Sequence, residues 1–355
     1  MSKYISKKYS GLTPYTPGEQ PKERKYIKLN TNESPYPPSV RATEAAARAA
    51  LGLELYSDPE AKLLNEKIAE VCAVEPECVL ATNGSDEILN FAFMAFCDSE
   101  RGAIFPDVTY GFYPVFAELN GVPYETVALR EDFSIDVDAF CNVGKTVFIA
   151  NPNAPTGIAL GLDEIERIVA SNQESVVVID EAYVDFGGES AIPLTKKYKN
   201  LLVTQTFSKS RSMAGARLGF GVACPELISD LNMIKYSTNP YNVNSMTMAA
   251  GLGALSDEDY TRSNCRKVIE SREFAADELK ALGFEMTDSA ANFLFVRHPK
   301  IDGGELYSRL REKGILVRHF SADRIAQYNR ITVGSREQME ALVCALREIL
   351  NALEA

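Results

Sequence analysis

Short apolar runs alternate with amphipathic segments along the middle of the chain. The runs hold four to six residues, mainly β-branched or otherwise apolar: VLAT (79–82), GAIFP (102–106), TVFIA (146–150), VVVID (176–180), LLVTQT (201–206) and GFGVA (219–223). Helices are predicted between them, for example over 87–97 and 162–172. Continuous apolar strands separated by helices are typical of a parallel sheet covered on both faces. The pattern therefore predicts an α/β fold with a mostly parallel central sheet covered by helices.

Beyond residue 255 the pattern changes. A long charged segment (257–282) predicts a helix, the runs FEMTDS, FLFVRH, ILVRHF and RITVG follow it, and a closing helix begins at Arg336. Mixed strands and helices over about 100 residues are typical of a separate α+β domain. We expect an N-terminal arm that forms part of the small domain (1–30), a large domain (31–255) and a small C-terminal domain (256–355).

The composition narrows the class of protein. The chain has 355 residues, of which 46% are hydrophobic, and a formal net charge of −12. This negative balance disfavours nucleic acid and anionic membranes as partners and favours a small molecule. No apolar stretch approaches the about 20 residues of a membrane span, and the basic N-terminus lacks the apolar segment of a signal peptide, so we expect a cytoplasmic protein. The seven cysteines and two histidines form no ligand cluster, which predicts reduced core thiols and no metal site.

Four polar motifs directly follow predicted strands. They are NGSDE (83–87), NPNAPTG (151–157), DEAY (180–183) and Ser208-Lys209. Ligands of an open parallel sheet bind at the carboxyl ends of its strands, so these motifs are expected to converge on one crevice. The glycine of NGSDE permits a tight turn into a helix, whose first N–H groups would face an anion. Helix capping alone is the alternative for that motif.

Two of these side chains carry specific chemistry. Lys209, in a polar crevice beside Arg217, would lose its proton more readily through like-charge repulsion, as a Schiff-base lysine requires. Asp180 ends an apolar strand, where a carboxylate is costly unless it meets a positive partner such as a pyridinium nitrogen. A solvated surface lysine and a turn-capping aspartate are the alternatives.

Together the motifs resemble those of the fold-type I pyridoxal-phosphate enzymes and, among these, the histidinol-phosphate aminotransferase family. The resemblance covers nearly the whole chain and rests on LTPY (12–15), LNTNESPYPPS (29–39), PDVTYGFY (106–113), NPNAPTG, DEAYVDF (180–186), TFSKSRSMAGARLGF (206–220), NPYNVNS (239–245) and NRITVG (329–334). It implies a pyridoxal 5′-phosphate cofactor. Lys209 would bind it covalently and shuttle the substrate proton, Asp180 would pair with the ring nitrogen, Tyr183 would bond the ring oxygen O3′, and Tyr110 would stack on the ring.

The resemblance also implies the contacts to the cofactor phosphate and to the partner subunit. The phosphate would be held by the backbone of Gly84, Ser85 and Asp86 and by the side chains of Thr206, Ser208 and Arg217. Tyr56 resembles a residue that reaches the cofactor phosphate of the partner subunit, which implies a homodimer with shared active sites.

Three further residues are implied to bind substrate. Arg330 resembles the arginine that takes the α-carboxylate of the amino donor, a role that suits a guanidinium fork. Arg318 matches a second basic residue that grips the distal carboxylate or phosphate, and Tyr15 resembles a tyrosine that closes over the same anion. A surface salt bridge and a packing ring are the alternatives for Arg318 and Tyr15.

One position departs from the family pattern. Most relatives have Asn directly before Pro-Thr-Gly, where its amide donates to O3′ of the cofactor, whereas this chain has Ala154. Either Asn153 supplies the missing donor or Tyr183 makes the O3′ contact alone.

The implied reaction is transamination between glutamate and imidazole acetol phosphate in histidine biosynthesis. Two rivals share the cofactor: an aminotransferase for phenylalanine and tyrosine, and a threonine-phosphate decarboxylase. A non-catalytic regulatory module on the same fold is a third, which the charge balance and the intact Lys209 disfavour.

Overall fold

A seven-stranded sheet forms the centre of the larger part of the chain, in a computed structural model that describes residues 2–354. The strands in chain order are β1 (Ile27–Lys28), β2 (Val79–Thr82), β3 (Ala103–Pro106), β4 (Tyr124–Val127), β5 (Thr146–Ala150), β6 (Val177–Asp180), β7 (Leu201–Thr206), β8 (Gly219–Val222), β9 (Glu285–Met286), β10 (Phe293–Arg297), β11 (Ile315–Leu316), β12 (Arg318–His319) and β13 (Asn329–Thr332). The helices are α1 (Val40–Ala49), α2 (Lys62–Cys72), α3 (Ser85–Phe96), α4 (Phe112–Asn120), α5 (Leu162–Ser171), α6 (Pro225–Thr238), α7 (Ser245–Leu255), α8 (Glu258–Ala281), α9 (Gly303–Glu312) and α10 (Arg336–Glu354).

The strand order in this sheet is β2-β8-β7-β6-β5-β3-β4. Neighbouring strands from β7 to β4 pair in parallel, whereas β8 runs antiparallel to both β7 and β2. The prediction of a mostly parallel sheet is confirmed, and all six predicted strands are present. The edge strand β4 was missed, because its YETV sequence is polar and mostly exposed.

Both faces of the sheet are buried. On β5, Val147 and Ile149 belong to one apolar cluster, and Phe148, which points to the opposite face, belongs to another. This alternation explains why the strands read as continuous apolar runs, since every position meets a helix layer. The two clusters leave the carboxyl ends of the strands as the place where polar side chains collect.

A second sheet, with the order β12-β13-β10-β9, is antiparallel and belongs to the smaller, C-terminal part of the chain. The N-terminal strand β1 pairs in parallel with β11, through Ile27 opposite Ile315. The N-terminal arm thus joins the C-terminal part through backbone hydrogen bonds. The predicted domain limits at residues 31 and 256 stay predictions.

Two expectations from the composition can be compared with the structure. All seven cysteines are free, but Cys344 is exposed, so the expectation of core thiols is wrong at that position. None of the helices between residues 2 and 354 combines the length and the apolar character of a membrane-crossing segment.

Candidate active site

The ends of three parallel strands meet in one cavity of about 140 Å³. The last residues of β5, β6 and β7 (Ala150, Asp180 and Thr206) line it, as expected for an open parallel sheet. Nine predicted site residues contribute to its wall: Ser85, Asp86, Tyr110, Asp180, Tyr183, Thr206, Ser208, Lys209 and Arg217.

Lys209 presents a lysine amine in a desolvated setting. Its Nζ donates to the carbonyl of Thr31 at 3.3 Å and lies 5.8 Å from the centroid of the Tyr183 ring. Burial, followed by the positive charge of Arg330, lowers the pKa of Lys209 to about 8. The sequence pointed to Arg217 as the repelling charge, but burial and Arg330 lower the pKa of the amine more. Around pH 8 a large fraction of this lysine is therefore neutral and nucleophilic, whereas a solvated lysine is still charged.

Asp180 is a buried carboxylate without a cation in contact. Its side chain accepts hydrogen bonds from the backbone N–H of Ala182 (3.2 Å) and from the Tyr113 hydroxyl (3.4 Å), and it forms no ion pair within residues 2–354. Burial, with a contribution from the nearby charge of Asp86, raises the pKa of Asp180 to about 7. Such a group gains most from a ligand that brings a protonated nitrogen to it.

The first turn of α3 forms a second polar wall. Gly84 adopts a φ of 83°, and a Cβ at this position would lie 2.7 Å from Nη2 of Arg217. The N–H groups of Ser85 and Asp86 begin the helix and have no hydrogen-bond acceptor among the described residues. A helix N-terminus with unused N–H groups beside a guanidinium is suited to an anion such as a phosphate.

Asp86 holds the side chains around this wall. It accepts from Nη2 of Arg217 at 2.9 Å and from the Tyr110 hydroxyl at 2.7 Å. Thr206 donates its one hydroxyl proton to the Ser208 hydroxyl at 3.0 Å or to the carbonyl of Leu218 at 3.3 Å, and it accepts from the Ser208 N–H at 3.1 Å. Arg217 itself has a left-handed φ of 55°, a conformation that is costly for a non-glycine residue and is found most often at functional sites.

Two arginines face one another beside this cavity, on the strands of the second sheet. Arg318 on β12 is the cross-strand partner of Arg330 on β13, an arrangement that is destabilising for like charges. Arg330 donates to the carbonyl of Asn30 at 3.2 Å and has a buried Nε without a hydrogen-bond partner, while Arg318 donates to the carbonyl of Thr16 at 3.1 Å. Neither arginine forms an ion pair in the part of the chain that the structure describes. The pair is therefore suited to an anionic ligand.

The N-terminal arm brings Tyr15 to the same region. Its ring stacks on Phe112 with a centroid distance of 4.2 Å, and the residues that follow it accept hydrogen bonds from Arg318. Tyr15 is thus tied to Arg318 through the backbone of the arm.

Two predicted residues lie away from the cavity. Tyr56 is 84% exposed and stacks on Tyr241, so it does not contribute to the site of its own chain. Asn153 is buried, and its amide donates to the carbonyl of Val108 and to the Thr156 hydroxyl, both at 3.0 Å. Ala154, not Asn153, lines the cavity, which corrects the suggestion that Asn153 shifts in to replace the missing donor.

Two contacts to the site were not predicted from the sequence. The Tyr113 hydroxyl reaches Asp180, and the side-chain amide of Asn32 donates to the Tyr183 hydroxyl at 3.0 Å. Both residues lie in motifs that carry the family resemblance, but neither motif indicates where its side chains point.

Comparison with known proteins agrees with this geometry. The family model for class I and II aminotransferases matches residues 24–346. The chain belongs to this family. It is 52% identical to the histidinol-phosphate aminotransferase of Aromatoleum aromaticum over 99% of its own length and 100% of the relative, and 46% identical to that of Brachyspira hyodysenteriae with the same coverage. The structure of the Sinorhizobium meliloti histidinol-phosphate aminotransferase, solved with pyridoxal 5′-phosphate, shares the fold with a TM-score of 0.90 and 23% identity over 99% of both chains.

The predicted fold type I, the aminotransferase activity and the pyridoxal-phosphate cofactor are thereby confirmed. The residues present fit this cofactor. The buried Asp180 forms no ion pair within residues 2–354, the start of α3 offers N–H groups to a phosphate, and Lys209 provides an amine whose pKa is lowered to about 8.

Proposed function

We propose that this aminotransferase transfers the amino group of glutamate to imidazole acetol phosphate, forming histidinol phosphate and 2-oxoglutarate in histidine biosynthesis. The observation that carries the proposal is the facing pair Arg318 and Arg330: neither forms an ion pair within residues 2–354, and the charge of Arg330 acts on Lys209. Substrates with a carboxylate or a phosphate would neutralise this pair. Full-length identity of 52% to a histidinol-phosphate aminotransferase supports the phosphate-bearing substrate.

In this proposal different residues of the cavity wall contact different parts of the cofactor. Asp180 takes the ring nitrogen, Tyr183 takes the ring oxygen and Tyr110 lies against the ring. The N–H groups of the first α3 turn, the hydroxyls of Thr206 and Ser208, and Arg217 take the phosphate. When bound, pyridoxal phosphate supplies an electron sink that stabilises negative charge at the substrate Cα.

Lys209 moves the proton. Its neutral Nζ removes the proton from Cα of the amino donor and returns a proton in the second half of the reaction. Burial keeps a large share of this amine neutral at a pH where a solvated lysine is almost wholly charged. The nearby Arg330 favours the neutral amine further, because a proton on Nζ would face a second positive charge.

Arg330 and Arg318 orient the substrates. Arg330, with its unused buried Nε, binds the α-carboxylate of glutamate, and Arg318 binds the distal carboxylate or phosphate. Tyr15, which is linked to Arg318 through the arm, closes over that distal anion. Glutamate thus pairs its two carboxylates with both arginines, whereas imidazole acetol phosphate, whose only anionic group is its phosphate, pairs with Arg318.

We also infer that the enzyme is a homodimer. Four exposed apolar side chains lie close together in the sequence, at Leu51, Leu53, Leu55 and Tyr56, and the Tyr56 ring stacks on the exposed Tyr241. We call these five residues the apolar patch. Contiguous apolar side chains on a surface favour burial against a partner. Tyr56 contributes nothing to the cavity of its own chain. In a dimer in which a second copy covers the patch, Tyr56 would reach the cofactor phosphate of the partner subunit.

Steady-state kinetics tests the reaction. With 2-oxoglutarate as acceptor, we expect kcat/KM for histidinol phosphate to exceed that for phenylalanine by at least roughly tenfold, because a dianionic phosphate can pair with Arg318 and a phenyl ring cannot. Lys209→Ala should abolish turnover. Preference for phenylalanine, or release of CO₂ without a keto acid from threonine phosphate, would replace this function by one of its two rivals.

A further inference from the structure

The cavity wall is apolar at one position where the resemblance to the family implies an amide donor. Ala154 occupies the corresponding position, lines the cavity and carries no polar group. The neighbouring Asn153 cannot supply the donor, because its amide already donates to Val108 and Thr156 and its carbonyl oxygen accepts from the Thr109 hydroxyl at 2.8 Å. Any group that assists Tyr183 must therefore come from another part of the chain.

Asn32 supplies such a group. Its Nδ2 donates to the Tyr183 hydroxyl at 3.0 Å, and both side chains are buried. A phenol that accepts this bond keeps its own proton for another acceptor. The Tyr183 ring is held edge-on against Phe293 at 5.1 Å, so the hydroxyl is free to rotate only about its C–O bond. The hydrogen bond from Asn32 restricts that rotation, because the phenol proton must point away from Nδ2 of Asn32.

The orientation of Asn32 is itself strongly determined. Its backbone has a left-handed φ of 55°, its N–H donates to the Thr332 hydroxyl at 2.9 Å, and its Oδ1 accepts from the same hydroxyl at 3.0 Å. Its carbonyl accepts from Nδ2 of Asn292 at 3.0 Å. Since the hydroxyl of Thr332 takes Oδ1, Nδ2 is the atom that faces Tyr183.

We propose that Asn32 is a positioning residue that directs the Tyr183 proton towards the ring oxygen of pyridoxal phosphate, in place of the amide that Ala154 lacks. The proposal rests on the proposed function only as far as the cofactor is concerned, and not on the substrate. Burial raises the pKa of Tyr183, and Arg330 and the bond from Asn32 act in the opposite direction. Asn32 therefore also makes the phenol a better donor.

Binding of two cofactor forms to the apoprotein tests this role without any amino donor. Asn32→Gly removes the amide while allowing the left-handed backbone. We expect it to weaken pyridoxal phosphate binding by about two- to tenfold, the value of one hydrogen bond. Binding of the analogue that lacks the 3-hydroxyl should stay within about twofold of wild type. Equal losses for both ligands would overturn the proposal, because they would indicate a purely structural role.

Two further variants sharpen the result. Asn32→Asp keeps the size of the side chain but offers only hydrogen-bond acceptors, so the Tyr183 proton should turn away from the cavity towards the new carboxylate. This variant should weaken pyridoxal phosphate binding more than Asn32→Gly does. Binding of the analogue without the 3-hydroxyl should again be unaffected. Ala154→Asn restores a donor on the opposite side and should recover binding in the Asn32→Gly background. The proposal fails if neither variant binds pyridoxal phosphate differently from the analogue without the 3-hydroxyl. That outcome would leave the proposed substrate preference untouched, because no amino donor is present in the experiment.

Discussion

At Lys209, burial and charge act on the same amine. Removing the ammonium group from water disfavours its charged form, and the charge of Arg330 adds to that effect. Asp180 undergoes the opposite change, since burial and Asp86 raise the pKa of its carboxylate to about 7. Both groups are closer to neutral than their solvated counterparts. An opposed pair of shifts within one cavity is the expected signature of an acid–base site.

The shift of Lys209 predicts a pH profile for cofactor attachment. The amine reacts only when neutral, so attachment of pyridoxal phosphate to the apoprotein should accelerate as the pH rises through about 8 and then level off. Between pH 7 and pH 9 the increase should be roughly tenfold. Borohydride trapping followed by mass spectrometry measures the rate, and free Nα-acetyl-lysine, which titrates above pH 10, is the reference. A protein profile that follows the free lysine would contradict the assigned pKa of Lys209.

At the scale of elements, the reversed strand β8 decides where the phosphate wall forms. Because β8 runs antiparallel to β7, the connection between them (207–218) returns at the carboxyl end of the sheet. Lys209 and Arg217 both lie on this connection and therefore reach the same cavity. A parallel β8 would begin at the other end of the sheet and would carry Arg217 away from the start of α3.

The turn into α3 leads to a second prediction. Gly84→Ala places a Cβ against Arg217, so the affinity for pyridoxal phosphate should fall by at least roughly tenfold, while the affinity for pyridoxal, which has no phosphate, should change little. Gly121→Ala is the control, because this glycine also has a positive φ, at 72°, but has open space around it. Backbone strain costs about 1–2 kcal/mol of stability in Gly121→Ala, where φ and ψ are left-handed (72° and 30°), and more in Gly84→Ala, whose φ and ψ of 83° and 159° are essentially restricted to glycine. Equal loss of both ligands on Gly84→Ala would indicate a general defect of folding.

At the scale of the whole molecule, the two sheets and the N-terminal arm meet around the substrate region. β1 pairs with β11 in the C-terminal part of the chain, and the arm also brings Tyr15 to Phe112 in the larger part of the chain. Arg318 donates to the arm as well. The substrate site thus depends on segments from both ends of the chain, while the cofactor wall comes mainly from the middle.

The apolar patch around Tyr56 predicts that assembly and cofactor retention are coupled. Leu55→Asp should yield a monomer in sedimentation velocity, since a buried charge in an apolar interface is costly. This monomer should bind pyridoxal phosphate at least roughly tenfold more weakly, because a lost hydrogen bond to a charged phosphate costs about 1.5–3 kcal/mol. Tyr124→Asp is the control, because Tyr124 is exposed on the edge strand β4. This change should leave the oligomeric state and the affinity for pyridoxal phosphate intact. A monomer with undiminished affinity would mean that each chain holds a complete site.

The sequence by itself determined six of the seven strands of the large sheet, the alternation of strands with helices, the polar motifs at the strand ends and the resemblance to the family. These are local features, because an apolar run, a glycine before a helix or a lysine after a strand can be recognised from a few neighbouring residues. That locality is why six strands and nine residues of the cavity wall could be predicted.

Only the tertiary structure decided how distant side chains meet. Asn32 and Tyr183, which are 151 positions apart, form a hydrogen bond that no motif spacing encodes. The pairing of Arg318 with Arg330 depends on the register of two strands, and the exclusion of Asn153 depends on acceptors from Val108 and Thr156. Each outcome follows from packing and from the need to satisfy buried polar groups, which are properties of the folded chain as a whole.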